Sequence, residues 1–161
     1  MSTHQRSDVL LAIDQGTTGS TALLLDQQLR VLATHNVEFP NHFPRPGWVE
    51  HDVDEIWTSV GQAVQGALVK AGIEAGAIAG VGITNQRETS LFWDRGTGQP
   101  IHRALVWQDR RTTDRCVELK EQGREPWVHQ RTGLVLDPYF SGTKAGWLLD
   151  NVEGARSKAD R

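Results

Sequence analysis

Apolar residues near the start of the chain form short runs that are separated by polar and glycine-rich segments. The runs cover residues 9–13, 21–26 and 31–39, and the connections are Asp-Gln-Gly-Thr-Thr-Gly-Ser at 14–20 and Gln-Gln at 27–28. Runs of this length bounded by turn residues are typical of strands, and a Gly/Thr-rich connection is typical of a hairpin turn. The pattern therefore predicts three consecutive antiparallel strands.

The next periodic segment has the three- and four-residue spacing of a helix. The segment before it, residues 40–46, contains three prolines. It is predicted to be a loop, because proline is excluded from helix interiors and central strands. Asp52 and Glu55 form a capping-box pattern, and Gly72 marks the end. The apolar positions are Val53, Ile56, Trp57, Val60, Val64, Ala67, Leu68 and Ala71. This spacing predicts a helix over Val53–Ala71 with its apolar stripe, Trp57 included, lying on the sheet.

The rest of the chain predicts further strands and helices. We expect strands at residues 78–83, 90–94 and 104–107, a turn at 95–98, helices at 109–122 and 127–131, and a last helix that Ser141 caps and that runs to about residue 150. The strand at 78–83 should be parallel to the first, because a helical crossover precedes it. This order resembles the first half of the ribonuclease-H-like domain of actin, hexokinase and the carbohydrate kinases. The expected fold class is α/β, a mixed sheet with flanking helices, incomplete in this chain.

Composition narrows the range of partners and locations. The 161 residues suit one domain, and 17 basic and 20 acidic residues leave a net charge of −3, which argues against nucleic acid as a partner. The single cysteine, Cys116, excludes an internal disulfide framework and favours a reducing, cytoplasmic setting. The apolar run at 9–13 is too short to cross a membrane or to form a signal peptide core. Residues 1–8 are largely polar and are predicted to be a disordered tail.

The hairpin that follows the first strand is a candidate phosphate-binding turn. Backbone N–H groups around Gly16 and Gly19, with the Thr17 and Thr18 hydroxyls, could converge on an anion such as the phosphates of ATP. Asp14 would then lie beside those phosphates, where a carboxylate needs a cation such as Mg²⁺. The alternative is a tight hairpin without a ligand, because Gly, Thr and Ser also occur in turns for conformational reasons. No Gly-Lys-Ser/Thr motif occurs, so the chain is not a P-loop kinase.

Polar groups suited to a polyol follow the strand at 78–83. Arg87 can donate to one hydroxyl while Glu88 accepts from another, provided that the chain bends so that both side chains reach one ligand. Trp107 could pack on the carbon side of the polyol, and the Tyr139 hydroxyl could bond to an alcohol. The alternatives are a solvated Arg-Glu ion pair and two aromatic residues that belong to the core.

Five segments in this order resemble the glycerol kinases of the FGGY carbohydrate kinase family. They are Asp-Gln-Gly-Thr-Thr at 14–18, Gly-Trp-Val-Glu-His-Asp at 47–52, Gly-Ile-Thr-Asn-Gln-Arg-Glu-Thr at 82–89, Val-Trp-Gln-Asp-Arg-Arg-Thr at 106–112 and Leu-Asp-Pro-Tyr-Phe-Ser-Gly-Thr-Lys at 136–144. The resemblance implies ATP-dependent phosphorylation of glycerol to sn-glycerol 3-phosphate. It also implies ATP and Mg²⁺ as cofactors, and homo-oligomers for the full-length members.

The resemblance assigns roles residue by residue. On the phosphate side, Gly16, Thr17, Thr18 and Gly19 match positions at the ATP phosphates, and Thr17 also matches a position near the product phosphate. Asp14 matches the carboxylate near Mg²⁺. On the polyol side, the matches to glycerol contacts are Arg87, Glu88 and Tyr139, and Trp107 matches a residue that lines that pocket. Two residues depart from the family: Gly19 stands where Ser is frequent, and Thr21 stands where Arg is common.

Chain length bears on activity. Family members are much longer than this chain, and their general base toward glycerol and their second domain lie beyond the matching part. The resemblance therefore implies that residues 9–161 are the N-terminal part of the first kinase domain, truncated and inactive alone, with no catalytic base within the chain. The alternative is a non-catalytic polyol- or nucleotide-binding module derived from a carbohydrate kinase.

Overall fold

A computed structural model describes residues 9–159. The expected disordered tail at residues 1–8 lies outside the described residues. Within the described part, residues 9–40 and 54–86 form one compact unit, and residues 41–53 and 87–159 form another. They are called here the first and the second unit.

The first unit is built on a mixed four-stranded sheet. Its strands are β1 (Val9–Gln15), β2 (Gly19–Leu25), β3 (Val31–Glu38) and β5 (Ile78–Asn85), in the order β3-β2-β1-β5. The two pairs β1/β2 and β2/β3 are antiparallel, and β5 is parallel to β1. Both the predicted meander and the predicted parallel strand are thereby confirmed.

The helix predicted after the proline-rich loop is confirmed with its bounds. Helix α1 covers Val53–Ala71. Gly72 ends it with a φ of 65°, and its N–H donates to the Val69 carbonyl at 3.1 Å while the Ile73 N–H donates to the Leu68 carbonyl at 3.1 Å. This pair of bonds is a Schellman motif, in which glycine adopts the left-handed conformation without a Cβ penalty.

The core of the first unit lies where α1 covers the sheet. Leu24 and Ala22 of β2 and Ala63 and Ala67 of α1 are fully buried within one apolar cluster. Trp57 was expected in this stripe, but its side chain is 78% exposed. At about 100° per residue, Trp57 lies about 120° around the helix from Ala63. Small residues define the buried face, because they allow the helix to approach the sheet closely.

A buried hydroxyl pair joins the sheet to α1. The hydroxyl oxygens of Ser20 on β2 and Ser59 on α1 are 2.8 Å apart, and the Ser59 hydroxyl donates to the Ile56 carbonyl at 2.7 Å. Because the Ser59 hydroxyl donates its only hydrogen to the Ile56 carbonyl, the Ser20 hydroxyl is the donor between the two serines. The pair lies directly after the hairpin turn and fixes the start of β2.

The second unit is mainly helical. It contains the short antiparallel pair β4 (Glu50–His51) and β6 (Ala104–Leu105), followed by α2 (Thr113–Glu121), α3 (Glu125–Thr132), α4 (Ser141–Asn151) and α5 (Ala155–Ala159). The strand expected at 90–94 is wrong, because only isolated bridges form at Ser90 and Trp93. The helices expected at 127–131 and from Ser141 are confirmed, and α5 was not predicted.

Helix α2 begins four residues later than expected because of Asp109. The buried Asp109 carboxylate accepts the Val49 N–H at 2.7 Å and the Arg111 N–H at 2.9 Å. A side chain that bonds to nearby backbone N–H groups competes with helix formation, so residues 109–112 stay in a loop.

Arg111 organises the interior of this unit. Its fully buried guanidinium donates to Asp109 and to Glu50 Oε1, each at 2.8 Å. It also lies between the rings of Trp48 and Trp147, 3.8 and 4.5 Å from their centroids. Two carboxylates and two aromatic faces compensate for the burial of the cation.

No helix in residues 9–159 combines the length and the apolar character that crossing a membrane requires.

Candidate functional site

The predicted phosphate turn is a tight hairpin between β1 and β2. Gln15 pairs with Ser20, and the Gly16 N–H donates to the Gly19 carbonyl at 2.9 Å. A Cβ on Gly19 would lie 2.9 Å from the Val37 carbonyl oxygen, so only glycine fits here without movement of β3. The Gly16 N–H is used inside the turn. Thr17, Thr18 and Gly19 follow it along the hairpin, and their contacts with a phosphate stay a prediction.

Two glutamines that sequence reasoning did not single out tie this hairpin to the end of β5. The Gln86 N–H donates to the Gln15 carbonyl at 2.9 Å, and the Gln86 side-chain amide reaches Gln15 Oε1 at 3.3 Å and the Gly16 carbonyl at 3.4 Å. The Gln15 side-chain amide also donates to the Gly16 carbonyl at 2.7 Å. Gln15 lies in the polar segment at 14–18 and Gln86 in the one at 82–89. The pattern of polar and apolar residues along the chain gives no reason to pair these two side chains.

Asp14 lies near the carboxyl end of β1 and is exposed. Its neighbours in register are Thr21 on β2 and Thr84 on β5. Within residues 9–159 no group of three or more His, Cys, Asp or Glu side chains is arranged to hold a metal ion. A single exposed carboxylate fits Mg²⁺, which usually keeps several waters and takes one or two carboxylates together with substrate phosphates.

The bend required at the end of β5 is confirmed. The strand ends at Asn85, and Glu88 takes a φ of 66°, a left-handed conformation that is uncommon for a residue other than glycine. Arg87 is exposed and Glu88 is half-buried. Uncommon backbone conformations of this kind are found disproportionately at functional sites.

The Glu88 carboxylate is held by the first residue of α4. Its Oε2 accepts the Ser141 N–H at 2.7 Å and the Ser141 hydroxyl at 2.6 Å. These two hydrogen bonds, the hydroxyl bond foremost, lower the pKa of Glu88 below its ordinary value. Ser141 was expected to cap α4, which is wrong: Phe140 occupies the cap position, and the serine hydroxyl bonds to Glu88 instead.

The two predicted aromatic contacts lie against each other in the second unit. The ring centroids of Trp107 and Tyr139 are 5.9 Å apart with an interplanar angle of 70°, and Tyr139 meets Phe140 edge-on at 5.0 Å. Both Trp107 and Tyr139 are half-buried. Each therefore keeps surface for a ligand while the edge-to-face contact restrains its ring.

Lys144 is a buried cation beside these contacts that sequence reasoning missed. Its Nζ donates to the Pro138 carbonyl at 3.4 Å and makes a closer bond to the Tyr139 carbonyl. Burial lowers the pKa of Lys144 to about 8, although the Glu88, Asp109 and Asp137 carboxylates act in the opposite direction. The available signal was a lysine in the first turn of a helix, where the macrodipole disfavours a cation.

A cavity of about 700 Å³ also lies in the second unit. Side chains from α2, α3 and α4, including Leu119, Val128 and Trp147, line it. None of the four predicted polyol contacts is among its lining residues. Volume alone therefore does not locate the predicted chemistry.

Comparisons with known proteins agree on one family. The model of the FGGY family of carbohydrate kinases, N-terminal domain, matches residues 9–161. A glycerol kinase of Bradyrhizobium sp. strain ORS 278 is 57% identical over 152 residues, which are 94% of this chain and 30% of that protein. A glycerol kinase of Agrobacterium fabrum is 56% identical over 150 residues, 93% of this chain and 30% of that protein. The chain thus spans about 30% of the length of these curated relatives.

Solved structures of the same family share the fold. The crystal structure of Plasmodium falciparum glycerol kinase with ADP matches with a TM-score of 0.85 and 32% identity, over 94% of this chain and 30% of that one. A xylulose kinase from Brucella ovis matches with a TM-score of 0.83 and 25% identity, over 95% of this chain and 31% of that one. The ribonuclease-H-like expectation of a mixed sheet with flanking helices is confirmed, and the chain belongs to the FGGY family of carbohydrate kinases.

Proposed function

We propose that this chain supplies the polyol contacts and part of the phosphate contacts of a kinase that transfers the γ-phosphoryl group of ATP to glycerol, giving sn-glycerol 3-phosphate. The observation that carries the proposal is the 57% identity with a curated glycerol kinase over 94% of the chain. The geometry of the second unit supports it, because an ionised carboxylate and two restrained aromatic rings are half-buried and able to meet a small ligand.

In this proposal the polyol contacts divide by chemistry. Arg87 donates to one glycerol oxygen, and the Glu88 carboxylate accepts from another hydroxyl. The Tyr139 hydroxyl bonds to an alcohol, and the Trp107 ring covers the carbon side of the ligand. The low pKa of Glu88 supports this role, since only the ionised form is purely an acceptor at neutral pH.

The hairpin takes the phosphate side. The Thr17 and Thr18 hydroxyls and the Gly19 backbone hold the ATP phosphates, with Thr17 also near the phosphate of the product, and Gly16 keeps the turn tight. Asp14 would supply one carboxylate to hold Mg²⁺. When bound, the ion offsets the phosphate charge that would otherwise repel that carboxylate.

Phosphoryl transfer depends on positioning and on charge stabilisation around the transferred group. We assign no residue of this chain as the general base. We therefore expect the 161-residue chain alone to bind glycerol weakly and to form glycerol 3-phosphate far more slowly than a complete glycerol kinase does. We also propose a cytoplasmic setting, where the thiol of Cys116 stays reduced, and homo-oligomers for the complete enzyme.

A glycerol titration tests the binding role. Chemical shifts of the ¹⁵N-labelled chain, including the Trp107 indole, are followed as glycerol is added, with propane-1,2-diol as the matched reference. Saturable shifts at Trp107 that Glu88→Ala abolishes support the proposal. Shifts that are equal for both alcohols, or unchanged by Glu88→Ala, contradict it.

Turnover separates the proposal from a non-catalytic module. Glycerol 3-phosphate formation is measured with the chain alone, and residual catalysis above the background that Glu88→Ala removes would exclude such a module. Turnover equal to that of a complete glycerol kinase would contradict our statement that the chain contains no base.

A further inference from the structure

The first turn of α4 contacts both of the elements that carry the proposed polyol contacts. At its start, Ser141 donates its N–H and its hydroxyl to Glu88 Oε2. One turn later, Lys144 Nζ donates to the carbonyls of Pro138 and Tyr139. A single rigid element therefore restrains the carboxylate and the segment that carries the tyrosine ring.

Glu88 needs such a restraint. Its left-handed backbone conformation is unfavourable for a residue with a side chain and persists only when surrounding contacts determine it. A free glutamate side chain also loses rotamer entropy when a ligand fixes it. Both Ser141 bonds go to Oε2, which leaves Oε1 to accept from a ligand hydroxyl.

Lys144 restrains the other contact through the backbone. Pro138 fixes its own φ, and a charge-assisted bond from a fully buried ammonium holds the next carbonyl. Tyr139 then stands edge-on to Trp107 with 5.9 Å between the ring centroids. A lysine that made only a surface ion pair would be exposed, whereas this one is completely enclosed.

We infer that Ser141 and Lys144 are positioning residues that hold the Glu88 carboxylate and the segment carrying the Tyr139 ring, and thereby favour glycerol over an alcohol that lacks one of its hydroxyls. The inference rests on the proposed function, because it assigns the specificity of that same site. Neither residue needs to touch the ligand.

The main test compares Ser141→Ala with Thr143→Val. Both substitutions remove a hydroxyl from a half-buried residue in the same turn, but the Thr143 hydroxyl pairs with Thr112 at 2.9 Å and not with Glu88. Ser141→Ala should raise the dissociation constant for glycerol about three- to tenfold, as expected when one flexible side chain must be ordered on binding. Thr143→Val should leave it unchanged.

Selectivity distinguishes positioning from a general loss of structure. Glycerol has one hydroxyl more than propane-1,2-diol, and a loosened Glu88 weakens glycerol more than the diol. The dissociation constant for propane-1,2-diol divided by that for glycerol should therefore fall toward one in Ser141→Ala. A second readout needs no ligand: carbon NMR should show the pKa of the Glu88 carboxyl rising toward its ordinary value in this variant only.

Lys144→Met provides the second arm, with a weaker nuclear Overhauser contact between the Tyr139 and Trp107 rings as its expected result. An unchanged contact in the folded variant would overturn the role of Lys144. If Lys144→Met does not fold, Lys144→Gln is measured in its place, and Ser141→Ala decides the role of Ser141.

The outcomes distinguish failure of the positioning role from failure of the proposed function. Weaker binding and reduced selectivity in Ser141→Ala, with neither change in Thr143→Val, support the positioning role. Wild-type affinity and selectivity in Ser141→Ala, while Glu88→Ala abolishes binding, overturn the positioning role and leave the proposed function intact. No saturable response of the wild-type chain to glycerol overturns the proposed function, and this inference with it.

Discussion

Replacing Gly19 by serine should destabilise the hairpin. Gly19 is the first residue of β2 and pairs with Glu38 of β3. A Cβ built on Gly19 would lie 2.9 Å from the Val37 carbonyl oxygen and 3.2 Å from the Glu38 Cα. Both neighbours are backbone atoms in the sheet, so neither can rotate away as a side chain would.

Two opposing terms set the magnitude. Replacing a glycine that has extended backbone is worth up to about 0.5–1 kcal/mol, because a residue with a side chain has less freedom in the unfolded chain. Overpacking against a fixed neighbour costs about 1–3 kcal/mol. The net loss in free energy of unfolding lies between about 0 and 2.5 kcal/mol, with a midpoint of about 1.3 kcal/mol. Each kcal/mol lowers the melting temperature of a unit this small by about 4–8 °C.

Urea unfolding followed by far-ultraviolet circular dichroism measures this loss. Gly82→Ser is the matched control: Gly82 also lies in a strand of the same sheet, but a Cβ there would meet nothing within 4 Å. Because the gain from replacing glycine applies there without an opposing clash, we expect the control to be more stable than wild type by about 0.5–1 kcal/mol. Equal stability of the two variants would refute the argument from the approach of β3.

Three further predictions concern buried polar groups, each measured by urea unfolding. Ser20→Ala should cost about 1 kcal/mol, and adding Ser59→Ala should cost less than it does alone, because the two hydroxyls share a bond; strict additivity would contradict this. Arg111→Lys should cost about 3 kcal/mol or more, since lysine keeps the charge but cannot reproduce the bidentate, stacked geometry; a loss below 1 kcal/mol would show the ion pairs to be replaceable. The Lys144 pKa of about 8 lies below the ordinary 10.5, so the unfolded chain binds more protons between these values and stability should rise with pH across that window. Burial raises the pKa of the Cys116 thiol above its ordinary value of 9.0, so this group makes stability fall with pH above 9.0. Wild type and Lys144→Met are therefore compared at pH 8–9, where the variant should show no rise in stability.

Local patterns were enough to predict the first unit. Short apolar runs with glycine-rich or polar turns identified the meander, and the spacing from Val53 with Gly72 at the end identified α1 and its bounds. The position of Trp57 was not predictable in this way. Periodicity identifies an apolar side of a helix, but the distance between helix and sheet decides whether small or large residues fill the contact, and that distance is a tertiary property.

The second unit was harder because side chains replace backbone pairing there. The buried Asp109 carboxylate bonds to the Val49 and Arg111 amides and delays α2. The segment at 90–94 has the composition of a strand but pairs only at isolated bridges. In each case the deciding partner is distant in sequence or depends on a side-chain conformation.

The candidate site divides in the same way. Motifs identified Arg87, Glu88, Trp107 and Tyr139 as candidates, and a bend was the condition for Arg87 and Glu88 to reach one ligand. The left-handed conformation at Glu88 meets that condition. The partner of Glu88 could not be predicted, because Ser141 lies 53 residues away. Serine before a helix is normally explained as a cap, and that local explanation concealed the long-range bond.

The placement of the tryptophans has a consequence for optical experiments on this chain. Trp57 belongs to the first unit and is 78% exposed, so its emission should already be that of a solvated indole in the folded state. Trp48 and Trp147 lie against the Arg111 guanidinium in the second unit, so their emission should change when that packing is lost. Intrinsic fluorescence should therefore follow the melting of the helical unit, while the meander that carries the predicted phosphate turn could unfold with almost no change in emission.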